Sequence, residues 1–74
     1  MKTETIIEIL KTYTEQEGVF LEKKIFLTEL SNLIIVEFDI QSSFENNECN
    51  KLKSMLRSNG FKNVGTGIFK KYLN

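Results

Sequence analysis

The nine residues from Asn32 to Ile40 limit the possible folds of this chain more than any other stretch. Leu33-Ile34-Ile35-Val36 is an unbroken apolar run, and Glu37-Phe38-Asp39-Ile40 then alternates acid with apolar. β-Branched and aromatic side chains of this kind fit a pleated surface that is covered on at least one side. The stretch reads as the central strand of a sheet. Everything else must be placed around it.

Upstream, Thr5 and Glu8 have capping-box spacing, and Ile6, Ile9, Leu10 and Tyr13 share one helical face. Gly18 suits a helix stop, so the spacing predicts an amphipathic helix over 4–17. Residues 19–27 read two ways. Val19, Leu21, Ile25 and Leu27 alternate as in a strand, with Phe20 and Phe26 opposite, whereas Ile25, Phe26, Glu29 and Leu30 also match a helical period. The β-forming Val-Phe-Leu and Ile-Phe-Leu triplets favour the strand, with a hairpin loop over 28–31.

Downstream, Ser42 and Glu45 repeat the capping-box spacing ahead of Cys49, Leu52, Met55 and Leu56, giving a second helix over 44–58. Asn59-Gly60-Phe61 reads as a Schellman stop with Phe61 folding back on the last turn. One further strand is expected over 64–73. Val64, Thr66, Ile68 and Tyr72 lie on one side of it, Gly65, Gly67, Phe69 and Leu73 on the other.

The expected order is α-β-β-α-β in one small α+β domain over 1–74. It is a two-layer sandwich with a mixed three-stranded sheet and both helices on one face. Aromatics left on the other sheet face (Phe20, Phe26 or Phe69, depending on register) would mark a partner surface or complete the core.

Composition excludes several kinds of chemistry. The chain has one cysteine, no histidine, no proline and no tryptophan. An internal disulfide, a Cys/His zinc site and a Ser-His-Asp triad are all impossible. Cys49 lies on the apolar face of the second helix and reads as a packed thiol. Gly65-Thr66-Gly67 lacks the residues and the following helix of a phosphate-binding loop. It reads instead as a strand against which something packs closely. Glu37 and Asp39 share a strand face and could bind Mg²⁺, but two solvent-facing acids are the commoner reason for that spacing. No cofactor or metal is expected. The absence of a leader-like or membrane-length apolar stretch, with the free thiol, points to the cytoplasm. A domain of 74 residues with no staple points to a homodimer.

Charge is the other informative feature. Residues 1–48 hold all ten acidic residues and four lysines, a charge of −6, and residues 49–74 hold six cations and no acid, +6. Either the halves neutralise each other within the fold, or one of them meets a partner: phosphate, nucleic acid or an acidic protein on the basic side. In the nucleic-acid reading, Lys62, Lys70 and Lys71 contact the backbone while Phe69 or Tyr72 stacks on a base.

The segment Leu33–Ile40, the stretch from Leu52 to Gly60-Phe61, and Gly67-Ile68-Phe69 together resemble the opening half of VapD-type and CRISPR-adaptation ferredoxin-like proteins. The resemblance covers about half of the chain; in those families this strand comes first, whereas here a helix and a strand precede it. It implies dimers and, for some members, a metal-dependent nuclease using the strand-end aspartate that Asp39 matches.

Weighed together, these features point to a small non-catalytic intracellular binding protein that regulates or inhibits a macromolecular partner, such as a phage or plasmid accessory protein. Nucleic-acid binding through the basic C-terminal segment is the second expectation, and an Asp39-dependent nuclease the third.

Overall fold

The computed structural model describes residues 2–14, 24–39 and 46–73. Along them run α1 (Thr3–Thr14), β1 (Ile25–Glu29), β2 (Leu33–Phe38), α2 (Asn46–Ser58), β3 (Lys62–Gly65) and β4 (Ile68–Tyr72). The expected helices are both present. Residues 15–18, 19–23 and 40–45, which carry the expected Gly18 stop, the start of the first strand and the Ser42/Glu45 cap, lie outside the described residues.

α1 is rich in threonine and isoleucine, which are weak helix formers, so packing must hold it. Ile6 and Leu10 are fully buried, and Ile7, Ile9 and Tyr13 pack around them. The first helical hydrogen bond runs from Ile6 N–H to Lys2 C=O at 3.1 Å. The helix therefore starts ahead of Thr5, and the Thr5/Glu8 pair lies exposed in its body instead of capping it. α2 buries Leu52 and Leu56. Its end is the expected Schellman motif: Phe61 N–H bonds to Leu56 C=O, Gly60 N–H to Arg57 C=O, and Gly60 has φ +88°. Phe61 is buried behind this turn.

The sheet has four strands in the order β1-β2-β4-β3, antiparallel throughout. This corrects the expected mixed three-stranded sheet. The single strand expected over 64–73 is a hairpin, because Thr66-Gly67 forms a two-residue turn with Gly67 at φ +69°. The glycines of Gly65-Thr66-Gly67 thus bracket a turn and do not share a strand face. A β-carbon at Gly67 would meet Phe38 Cβ at an ordinary contact distance of 3.5 Å, so the position needs glycine for its positive φ and not for the expected close approach. α2 still leads into a strand running in the same direction as β2, but β4 lies between the two. β3 carries a bulge between Asn63 and Gly65, which disrupts one outer edge.

The chain is two αββ units in sequence. In each, a short loop (residues 30–32 in the first, 66–67 in the second) joins the hairpin and its second strand takes a central position. β2 and β4 meet in the middle, where Phe38 N–H bonds to Gly67 C=O and Leu73 N–H to Asn32 C=O. Both members of the first bond sit 35 residues from their counterparts in the second (32 to 67, 38 to 73), so the two halves of the sheet are related by an approximate two-fold axis.

One face of the sheet carries Ile25, Ile34, Val36, Phe38 and Phe69, all buried in one cluster with Ile6, Leu10, Leu52 and Leu56. Both helices therefore cover the same face. Phe38 and Phe69 meet edge to face at 5.8 Å, as their ring quadrupoles favour. The residues that alternate with these point to the other side, which is uncovered among the described residues. The two faces give a direct test in urea denaturation. Phe69→Ala should cost about 3–5 kcal/mol, whereas Tyr72→Ala, on the other face, should change the stability of the single chain by about 1 kcal/mol or less.

Candidate functional site

The alternation along each strand, combined with the registers between them, places the side chains of the uncovered face in rows. Phe26, Glu37, Ile68 and Gly65 form one row; Thr28, Ile35, Lys70 and Lys62 the next; Leu33 and Tyr72 a third. The bonds at Phe38–Gly67 and Asn32–Leu73 fix which pairs are hydrogen-bonded, so Leu33–Tyr72, Ile35–Lys70 and Glu37–Ile68 are the closer, non-hydrogen-bonded pairs. Their side chains approach one another most tightly on this face. The result is a central aliphatic strip of Leu33, Ile35 and Ile68, half-buried by its neighbours. Tyr72 is 67% exposed at one corner and Phe26 45% exposed at the opposite one.

Of the residues singled out from the sequence, Lys62, Lys70 and Tyr72 come together on this face. Phe69 and Lys71 do not. Phe69 is fully buried beneath α2. Lys71 points to the helix side, where Nζ donates to Thr3 Oγ1 at 3.3 Å and lies 5.7 Å from the centre of the Phe61 ring. The basic C-terminal part is therefore divided between two surfaces. Lys53 and Arg57 likewise lie over the core rings of Phe38 and Phe69, each 5.5 Å from the ring centre. Their aliphatic stems shield apolar area while the charged ends stay wet.

Leu33, Ile35 and Ile68 are not marked as binding residues by the sequence, and Glu37 is marked only as one of two acids that could bind Mg²⁺. The available signal was the Thr66-Gly67 turn, which makes β4 a hairpin partner and sets its register. Asp39 lies past the end of β2, half-buried, and its N–H donates to Lys24 C=O at 2.9 Å. Among the described residues no three His, Cys, Asp or Glu side chains gather in a metal-holding group. No helix among them is long and apolar enough to cross a membrane. Cys49 is half-buried against the core. On the outer side of α2, a depression of about 450 Å³ lined by Asn47, Asn50, Lys51 and Ser54 offers amides, a hydroxyl and one ammonium, with no acid–base pair among them.

A polar cluster joins the ends of three elements beside the core. Lys24 N–H donates to Tyr13 C=O at 3.1 Å, and the Lys24 ammonium pairs with Glu48 at 3.7 Å. That ammonium also lies 5.9 Å from the centre of the Tyr13 ring. Burial, then the hydrogen bond to Glu48, then the Glu48 charge hold the Tyr13 phenol above its usual pKa of 10.0.

Comparison with protein-family models, with curated proteins and with solved structures gives no match.

The Tyr13 cluster generates a pH prediction. A pKa raised on folding contributes stability that is present below pH 10 and lost as pH rises through the raised value. Ultraviolet titration should find Tyr13 ionising late, and Glu48→Gln should bring that ionisation back toward pH 10. An unmoved titration in Glu48→Gln would remove Glu48 as a cause.

Proposed function

We propose that this chain is a small non-catalytic interaction protein that docks another protein on its uncovered sheet face and regulates or inhibits by that binding. The observation supporting this reading is the aliphatic strip on a face that both helices leave bare, bordered by exposed aromatics and a few charges. Buried cores are built from the same residue types, and such a strip gains by contact with a second apolar surface. An apolar centre with a polar rim is also how protein interfaces are organised. The work of such a protein is done by occupancy, for which this face supplies the area.

A nucleic-acid reading has one specific observation in its favour: Lys62, Lys70 and Tyr72 share the face. It is the weaker reading. The centre is aliphatic, not an aromatic platform, and the aromatics sit at opposite corners with Glu37 beside Phe26.

The test is affinity capture of the tagged chain from its native extract, nuclease-treated and containing untagged copies of the same chain. Ile35→Thr/Tyr72→Ser, which keeps strand-compatible residues, should lose at least about 80% of what the unaltered chain retains, as expected for removal of central interface contacts. Lys51→Glu on the exposed side of α2 should retain it all. Equal retention by the two variants would contradict the reading, and material that disappears with nuclease would transfer it to nucleic acid.

A further inference from the structure

We propose that the occupant of the uncovered face is the same face of a second copy of this chain, stacked sheet on sheet about a two-fold axis. This rests on reading that face as the protein-docking surface and adds the identity of what docks there.

A two-fold interface must be self-complementary, with residue i meeting j and j meeting i. The uncovered face has this property in its charges. Glu37 on β2 and Lys70 on β4 stand diagonally across the central pair of strands, since Glu37 is paired with Ile68 and Lys70 with Ile35. Neither has an ion-pair partner among the described residues, where the pairs are Lys11–Glu29 and Lys24–Glu48. Two sheets packed face to face keep their strands roughly aligned and lie about 10 Å apart. With the axis running along the strands between β2 and β4, β2 of one copy covers β4 of the other. Glu37 then lies above Ile68 of the second copy, and Lys70 of that copy is two residues further along, about 6.7 Å. The lysine stem spans that distance. The same rotation brings Lys70 of the first copy to Glu37 of the second.

In this arrangement Lys70 of each copy lies over Ile35 of the other and Tyr72 over Leu33, so the two cross-copy pairs sit at one end of the contact and the apolar Leu33 and Tyr72 of both copies at the other. A foreign partner would have to supply both an acid and a base at this diagonal spacing, which a second copy supplies by symmetry. Size argues in the same direction. A chain with ten buried hydrophobic side chains in its described core is near the lower limit of independent stability, and stacking would add a second apolar layer. The assembly has four layers: helices, sheet, sheet, helices.

Sedimentation equilibrium of the full chain tests this, with circular dichroism confirming that each variant is folded. The unaltered chain should reach twice its 8.6 kDa at micromolar to sub-millimolar concentration. Glu37→Lys and Lys70→Glu should each raise the dimer dissociation constant at least about tenfold, because each turns two attractive pairs into repulsive ones. An equimolar mixture of the two variants should recover the dimer, since both contacts in the mixed pair are again between opposite charges. The doubly substituted chain, with both changes together, should recover it too. A monomer at every concentration would overturn the proposal, as would a dimer indifferent to both changes or a mixture that stays monomeric. If the unaltered chain is monomeric while Ile35→Thr/Tyr72→Ser still abolishes capture, the docking surface stands and a different protein occupies it.

Discussion

The antiparallel pairing of β2 with β4 is the interaction on which the remaining structure depends. It joins the two αββ units, and its register of Ile34 with Lys71, Val36 with Phe69 and Glu37 with Ile68 decides which side chains are covered. A shift of one residue would exchange the faces of a whole strand. Phe69 would leave the core, where it meets Phe38 edge to face, and Lys70 would enter it. Burying a lysine without a partner is so unfavourable that this register excludes its neighbours. Gly67 secures the same pairing from outside. Its positive φ makes the turn, and its carbonyl accepts from Phe38 N–H.

From this one pairing follows the division of charge that the sequence shows only as a gradient. Neighbouring residues on β4 serve opposite surfaces: Lys71 reaches Thr3 on α1 and lies over Phe61, while Lys70 stands beside Ile35 on the uncovered side. Lys53, Arg57 and Lys71 cover the edge of the aromatic core, which gives them a structural task. The other face of the sheet has few charges and an aliphatic centre. Contact with another apolar surface is the role we propose for it.

Much of the fold was legible in the sequence because it rests on local rules. The central strand, both helices and the Schellman turn at Gly60 are set by short-range pattern, and Ile25 and Leu27 do fall opposite Phe26 as the alternation requires. The segment over 64–73 was harder to read. Its alternation was correct from Ile68 onward, but Thr66-Gly67 is a short turn signal inside a β-favouring stretch, and it changes one strand into two. That change reversed the direction of the strand beside β2 and made the sheet antiparallel. The site was less legible for the same reason. Lys62, Lys70 and Tyr72 were chosen for their chemistry and do share a face, whereas Phe69 and Lys71 were chosen on the same grounds and lie on the side covered by helices. Residue type alone cannot distinguish these cases; register can.

The measurement that tests this account most directly is the set of cross-strand Hα–Hα nuclear Overhauser contacts between β2 and β4. In an antiparallel ladder these appear strongly at non-hydrogen-bonded pairs, where the two α-carbons are about 4.5 Å apart. They are expected between Leu33 and Tyr72, Ile35 and Lys70, and Glu37 and Ile68. Contacts displaced by one residue, or the pattern of a parallel pair, would contradict the register. The uncovered face, and the binding assigned to it, would then have to be abandoned.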